Sequence, residues 1–294
     1  MITYIGEYTD FIKNTCHKSA NTIESYKRDV TQYISFLSEM GISNIKNTTR
    51  TNVLSYITLL NKNGRAASTV SRVLASIRSY YLYLLRNGQV DSDPTFALAS
   101  PHIEKKPPKV LTSNEVTLLL EQPKLTSNKG IRDKAMLELF YATGIRVSEL
   151  IGLDVADVNF SMGYIRCANS KSERLIPLGN KAIDAVKMYL EKSRGTMLKN
   201  EDENALFLNR MGERISRQGF WKIVKQYQKT SGIEGDITPH SLRHSFAAHL
   251  IQNGADLQSL KSMMGHSDIS STQVYTCFLD DSIKRVYEKT HPRA

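Results

Sequence analysis

Apolar residues recur at three- and four-residue steps through three stretches of the first hundred residues. Ile23, Tyr26, Val30, Tyr33, Ile34 and Leu37 form one stripe, opened by Asn21 with Glu24 three residues on and ended by Gly41. That layout predicts an amphipathic helix with a capping-box start. Val53, Leu54, Ile57 and Leu60, followed by Gly64, predict a shorter helix. From Ser68, the stripe Val70, Val73, Leu74, Ile77, Tyr80, Tyr81, Leu84 and Leu85 runs to Gly88 and predicts a third. Its polar side carries Arg65, Arg72, Arg78 and Arg86, which suit either a solvated face or a grip on phosphates.

The pattern then breaks. Pro94 is followed by Pro101-His102-Ile103-Glu104-Lys105-Lys106-Pro107-Pro108-Lys109, whose prolines cannot continue a helix and whose lysines make it basic. Beyond it, Thr112 and Glu115 form a second capping-box signature ahead of Val116, Leu118, Leu119 and Leu120. Residues 131 to 142 read as a buried helix running into Thr143-Gly144. Tyr164 to Cys167 and Leu175 to Leu178, separated by a polar turn, read as paired strands, and helices fill most of the rest. The expected fold is mainly α (α+β). A helical N-terminal domain, 1–100, is joined by a basic Pro-rich linker, 101–110, to a mostly helical domain, 111–294, with a small antiparallel sheet.

Composition narrows the class of partner. The 294 residues carry a formal charge of +10, and both pieces share it: 11 basic against 7 acidic residues in 1–100, and 28 against 22 in the remainder. A polyanion is the natural counterpart of two basic domains. No apolar run approaches the ~18 residues needed to span a bilayer, and the start, MITYIGEYTDF, does not read as a signal peptide. Cys16, Cys167 and Cys277 fit neither a disulfide framework nor a zinc knuckle, so a reducing cytoplasm is expected.

Candidate chemistry gathers near the C-terminus. Tyr275 lies nine residues after His266 of the Gly265-His266 pair and 32 after Arg243 of His240-Ser241-Leu242-Arg243-His244. A phenol is a poor nucleophile unless its target is polarised, and a guanidinium polarises a phosphate at any working pH. His240, Arg243 and His244 share one face of a helix. The spacing of His240 and His244 also matches a pair of metal ligands, but Ser241 stands where HExxH has its glutamate, so no metal is expected. The competing reading is a core histidine beside a surface arginine. Upstream, Arg146 sits in the turn after Gly144 near a helix N-terminus, which favours an anion, with Glu149 placed to hold it.

Taken together, ATGIRVSEL, PHSLRHSFAAHL, the Gly-His before a tyrosine and the closing VYEKTHPRA resemble the tyrosine recombinase family, and within it the Xer group. The resemblance spans essentially the whole chain. It implies a core-binding (SAM-like) domain at 1–100 and a catalytic domain at 111–294. Arg146 and Arg243 would bind the scissile phosphate, His240 and His266 would assist with His240 accepting the nucleophile's proton, and Tyr275 would attack to give a 3′-phosphotyrosyl link. The family's lysine, which protonates the departing 5′-oxygen, sits in a hairpin turn resembling G-K-G-x-K-E-R. Here the turn reads Ala168-Asn169-Ser170-Lys171-Ser172-Glu173-Arg174, so Lys171 is its counterpart although Asn169 occupies the aligned position. His244 also matches the family's pattern, in a supporting role. Neither metal nor nucleotide cofactor is implied. The implied partners are a double-stranded DNA recombination site and further protomers, in a homotetramer or heterotetramer resolving a Holliday junction. Asp281 to Ala294 would dock on a neighbouring protomer, and no membrane is involved. Chromosome dimer resolution is the expected role, with the integrase of a mobile element as the alternative. A type IB topoisomerase and a catalytically silent DNA-binding module are the competing readings of the chemistry.

Overall fold

A computed structural model of the chain describes residues 3–101, 109–169 and 172–265. It is mainly helical with one small antiparallel sheet, and it divides into two compact units, Met1–Lys106 and Pro107–Ala294.

The first unit holds α1 (Thr3–Asn14), α2 (Ala20–Glu39), a short 3-10 turn (Ile45–Asn47), α3 (Arg50–Lys62) and α4 (Ala67–Arg86). The expected stripes face inward: Val30, Tyr33, Ile34 and Leu37 from α2, and Val70, Val73, Leu74, Ile77, Tyr80, Tyr81 and Leu84 from α4. Three details differ from the sequence reading. Helix α2 is capped by Ser19, whose hydroxyl accepts the Thr22 N–H, so Asn21 lies inside the helix and does not cap it. Leu54 and Leu85 sit on outer faces, because Tyr56 and Tyr83 take the buried positions beside them. Helix α3 is capped by Thr49 and Asn52, a reciprocal pair hidden from a search for Glu or Gln at that spacing.

Tyrosine dominates this core. Tyr8, Tyr33, Tyr80 and Tyr81 are fully buried, and the Tyr33 and Tyr81 hydroxyls meet at 3.1 Å. Tyr8 stands edge-on to Tyr80 with centroids 5.2 Å apart, a favoured aromatic arrangement. The arginines of α4 turn out to be engaged in part. Arg72 pairs with buried Asp29 of α2, and Arg78 donates to the Leu98 carbonyl at 2.7 Å. Arg65 and Arg86 are exposed.

The second unit begins with α5 (Ser113–Glu121), whose Thr112–Glu115 capping box forms as expected. Helix α6 (Asn128–Thr143) is buried along most of its length and stops at Gly144, which adopts a left-handed φ of 56°. Next come α7 (Val147–Gly152) and the strands β1 (Val158–Asn159), β2 (Tyr164–Asn169) and β3 (Ser172–Pro177), an antiparallel sheet in the order β1-β2-β3. The register pairs Ile165 with Ile176 and Cys167 with Arg174. Strand alternation therefore sends Ile165, Cys167, Arg174 and Ile176 to one face. The short β1 strand had no counterpart in the sequence reading. Helix α8 (Asn180–Tyr189) passes through a π-helical turn (Leu190–Arg194) into α9 (Gly195–Met197), and α10 (Arg217–Ser231), α11 (Pro239–Gln252) and α12 (Leu257–Met264) follow among the described residues. Among the described residues no helix is long and apolar enough to cross a membrane.

Candidate active site

Thr238 caps α11 through the Ser241 N–H, and Pro239 occupies the first helical position, where its missing donor costs nothing. This fixes His240 at the start of the helix, exposed, and Arg243 one turn in. Arg243 is only 7% exposed. The sequence alternative of a core histidine beside a surface arginine is thus reversed, since the guanidinium is the buried partner. Arg243 donates to the Gly144 carbonyl, and its Nη2 donates to the Met264 carbonyl at 2.8 Å. A charge at this depth requires such partners. Half-buried His244 follows, its pKa lowered chiefly by desolvation and then by the neighbouring His240 and Arg243.

Gly144 is needed here for two reasons. Its φ is left-handed, and a Cβ would fall 2.0 Å from the Phe246 ring of α11. The tight turn it permits brings Arg146 to the N-cap of α7. Arg146 donates its backbone N–H to Glu149 Oε2 at 2.8 Å, its Nη1 to Glu149 Oε1 at 3.1 Å and its Nη2 to the Gly265 carbonyl at 2.7 Å. The Glu149 hold expected from sequence is present. Because Glu149 already takes the Arg146 N–H at the start of a six-residue helix, the positive charge available there belongs to the guanidinium rather than the helix end. That guanidinium side chain is 40% exposed.

A third arginine was missed. Arg174 of β3 donates through Nη1 and Nη2 to the two carboxylate oxygens of Glu149, at 3.0 and 2.9 Å, and through Nε to the Met263 carbonyl at 2.9 Å. Burial alone raises the Glu149 pKa. The Arg174 fork, the Arg146 N–H and the two positive charges outweigh burial and bring it down to about 2. The signal in the sequence was the strand alternation: Arg174 shares its phase with Ile176 and Leu178, so it is a charge on the inward face.

Arg174, Arg243 and Arg146 therefore donate to three consecutive carbonyls, Met263, Met264 and Gly265. These are the last carbonyls of α12, the electronegative end of the helix. Gly265 closes α12 with a left-handed φ of 63°. His266 is the next residue in the chain. It lies outside the described residues, as do Lys171, Tyr275, linker residues 102–108 and the segment Asp281 to Ala294. Among the described members of the expected set, the structure brings Arg146 and Arg243 together at the end of α12 and leaves His240 exposed at the start of α11.

Residues 109–280 match the phage integrase family, and residues 5–88 match the phage integrase N-terminal SAM-like domain. The chain is 46% identical over 292 residues to the tyrosine recombinase XerD of Halalkalibacterium halodurans, a match covering 99% of this chain and 98% of that protein. To the tyrosine recombinase XerD of Staphylococcus epidermidis it is 45% identical over 295 residues, covering 100% of both. Among solved structures, the XerH site-specific recombinase bound to a palindromic difH substrate, a post-cleavage complex, superposes with a TM-score of 0.73 at 18% identity, covering 98% of this chain and 84% of that one. At that identity the likeness is one of fold.

Proposed function

The chain belongs to the phage integrase family, and from that membership we propose that it is a site-specific tyrosine recombinase that cuts and rejoins double-stranded DNA. In this reading the phenolic oxygen of Tyr275 attacks the scissile phosphorus, the bond to the 5′-oxygen breaks, and Lys171 supplies the proton that the departing oxygen takes up. His240 accepts the phenol's proton, and His266 adds a hydrogen bond to the phosphate. Arg146 and Arg243 bind its non-bridging oxygens. Phosphoryl transfer needs charge stabilisation and an in-line nucleophile more than covalent assistance from the protein, and preorganised guanidiniums provide it. The phosphotyrosyl ester conserves the energy of the phosphodiester, so the strand is rejoined to a new partner instead of being hydrolysed.

The observation that carries the reading is the convergence of Arg146 and Arg243 on the adjacent carbonyls of Gly265 and Met264 at the end of α12, directly before His266 in the chain. Two guanidiniums anchored on neighbouring carbonyls suit the two non-bridging oxygens of one phosphate. Full-length similarity to proteins named XerD favours chromosome dimer resolution in the cytoplasm, by a tetramer on two duplexes, over service to a mobile element.

The test is a nicked suicide duplex carrying the site that this protein selects from a randomised oligonucleotide pool. Wild type is expected to form a covalent adduct and Tyr275→Phe none; absence of the wild-type adduct rejects the reading. Lys171→Ala is expected to stall on ordinary DNA and recover on a 5′-bridging phosphorothiolate, whose leaving group needs no proton. Exchange of strands between two labelled duplexes separates a recombinase from a topoisomerase, which only relaxes.

A further inference from the structure

Three arginines meet at the end of α12, but the proposed chemistry uses only two. Arg174 comes from β3, the strand that begins at Ser172, and its side chain is 11% exposed. Its three described hydrogen bonds all go to protein oxygens. We infer that Arg174 is a positioning residue of the recombination centre: by clamping Glu149 it keeps the Arg146 guanidinium turned toward the phosphate. The inference rests on the recombinase reading above.

The reasoning is one of competition. An arginine and a carboxylate left alone prefer a bidentate fork, with two parallel N–H···O bonds. Glu149 does form that fork, but with Arg174. Arg146 is left with a single bond from its guanidinium to Oε1, at 3.1 Å, and one to the Gly265 carbonyl at 2.7 Å. A guanidinium has five N–H donors, so a 40% exposed group making two such bonds keeps donors for a ligand. With Arg174 removed, Glu149 would turn both oxygens to Arg146 and draw its fork away from the phosphate. The same side chain also fastens β3 to α12 through Met263, next to the carbonyls that Arg243 and Arg146 hold. Its close approach depends on Gly265, where a Cβ would come 2.7 Å from the Arg174 Cζ.

The experiment uses full-length protein on the nicked duplex described above, in two chemical forms. One has an ordinary scissile phosphate. The other has a methylphosphonate, in which a methyl group replaces a non-bridging oxygen and removes the charge that Arg146 would meet. Arg174→Met is expected to bind the duplex within about two-fold of wild type and to form adduct on the order of 10- to 100-fold more slowly on the ordinary phosphate, the size expected of a misplaced electrostatic ligand. On the methylphosphonate the penalty is expected to shrink below about five-fold, since less charge remains to be stabilised. Arg174→Lys, which keeps the charge but not the fork, is expected to recover only part of the rate. An equal penalty on both substrates would mean that the substitution merely loosens the fold, and this overturns the inference. So does an unimpaired Arg174→Met, or full recovery with lysine. A wild type that forms no Tyr275-dependent adduct rejects the recombinase reading and the inference with it, a result distinguishable from failure of Arg174 alone.

Discussion

Asp29 and Glu149 are buried carboxylates, one in each unit, and they are held in opposite ways. Asp29, 2% exposed, receives Arg72 from α4 and the Ser76 hydroxyl at 3.2 Å, which ties α2 to α4. Each of these donors is a side chain of the same helix pair, and the pairing is structural. Glu149 receives two guanidiniums and a backbone N–H, from Arg146 and Arg174, and both guanidiniums continue to carbonyls at the end of α12. An ion pair that closes on itself adds little net stability, because desolvation cancels most of the attraction. A carboxylate shared between arginines does something else: it sets their directions. Asp29 joins two helices, whereas Glu149 aims an arginine that also faces solvent.

The sharpest break in that comparison is Glu149→Gln, which preserves shape and removes charge. Its amide group places a donor against guanidiniums that need an acceptor. Adduct formation on the nicked duplex is expected to fall about 100-fold, by misdirection of Arg146. The same substitution changes how stability responds to pH. The Glu149 carboxyl lies at about 2 in the folded chain against 4.5 for the ordinary group. A depressed folded value means that the contribution is complete above about 4.5 and is lost as pH falls toward 2. It amounts to about 3 kcal/mol for a shift of this size. Thermal unfolding of wild type should therefore lose stability more steeply than Glu149→Gln between pH 4.5 and 3, with little difference in slope between pH 6 and 8. Matching slopes in acid would remove Glu149 as the hub.

Much of this was legible from residue spacing. The helical stripes, the Thr112–Glu115 box, the stop at Gly144 and the pairing of Arg146 with Glu149 all follow from local rules, where a residue's partner lies three or four positions away. Arg174 was not found that way. Its partners Glu149 and Met263 are 25 and 89 positions distant, and only the strand phase it shares with Ile176 and Leu178 marked it as inward. Arg243 was identified by family motif, yet its burial was invisible, because α11 is covered on nearly every side and offers no stripe to read. The start of α2 was misplaced for a plainer reason: Ser19 and Asn21 are both good caps, and sequence alone does not rank them.

In the first unit the expected effects are smaller and fall on stability alone. Asp29→Asn leaves Arg72 with a weaker acceptor, but the Arg72 side chain is 36% exposed and regains water. The cost should be about 1–2 kcal/mol in chemical denaturation, with the rate of adduct formation per folded molecule unchanged. A loss of rate would show that Asp29 is more than a helix tie.

Tyr33→Phe is the mildest probe and separates the two units most cleanly. It deletes one hydroxyl of the 3.1 Å pair with Tyr81 and leaves the packing of the ring intact. The loss should be about 1 kcal/mol, the net worth of one neutral buried hydrogen bond. Burial is the main cause raising the pKa of both phenols, with Tyr81 pushed up to about 12 and Tyr33 further still. Neither ionises under working conditions, so the penalty should stay flat from pH 5 to 9 in denaturant melts. A raised folded value confers stability that is lost only as pH climbs toward that value, well above this range. A penalty that varied across the range would mean that an ionised group reaches the tyrosine pair. In that case the polar contacts of the first core, like those around Glu149, would be governed by charge.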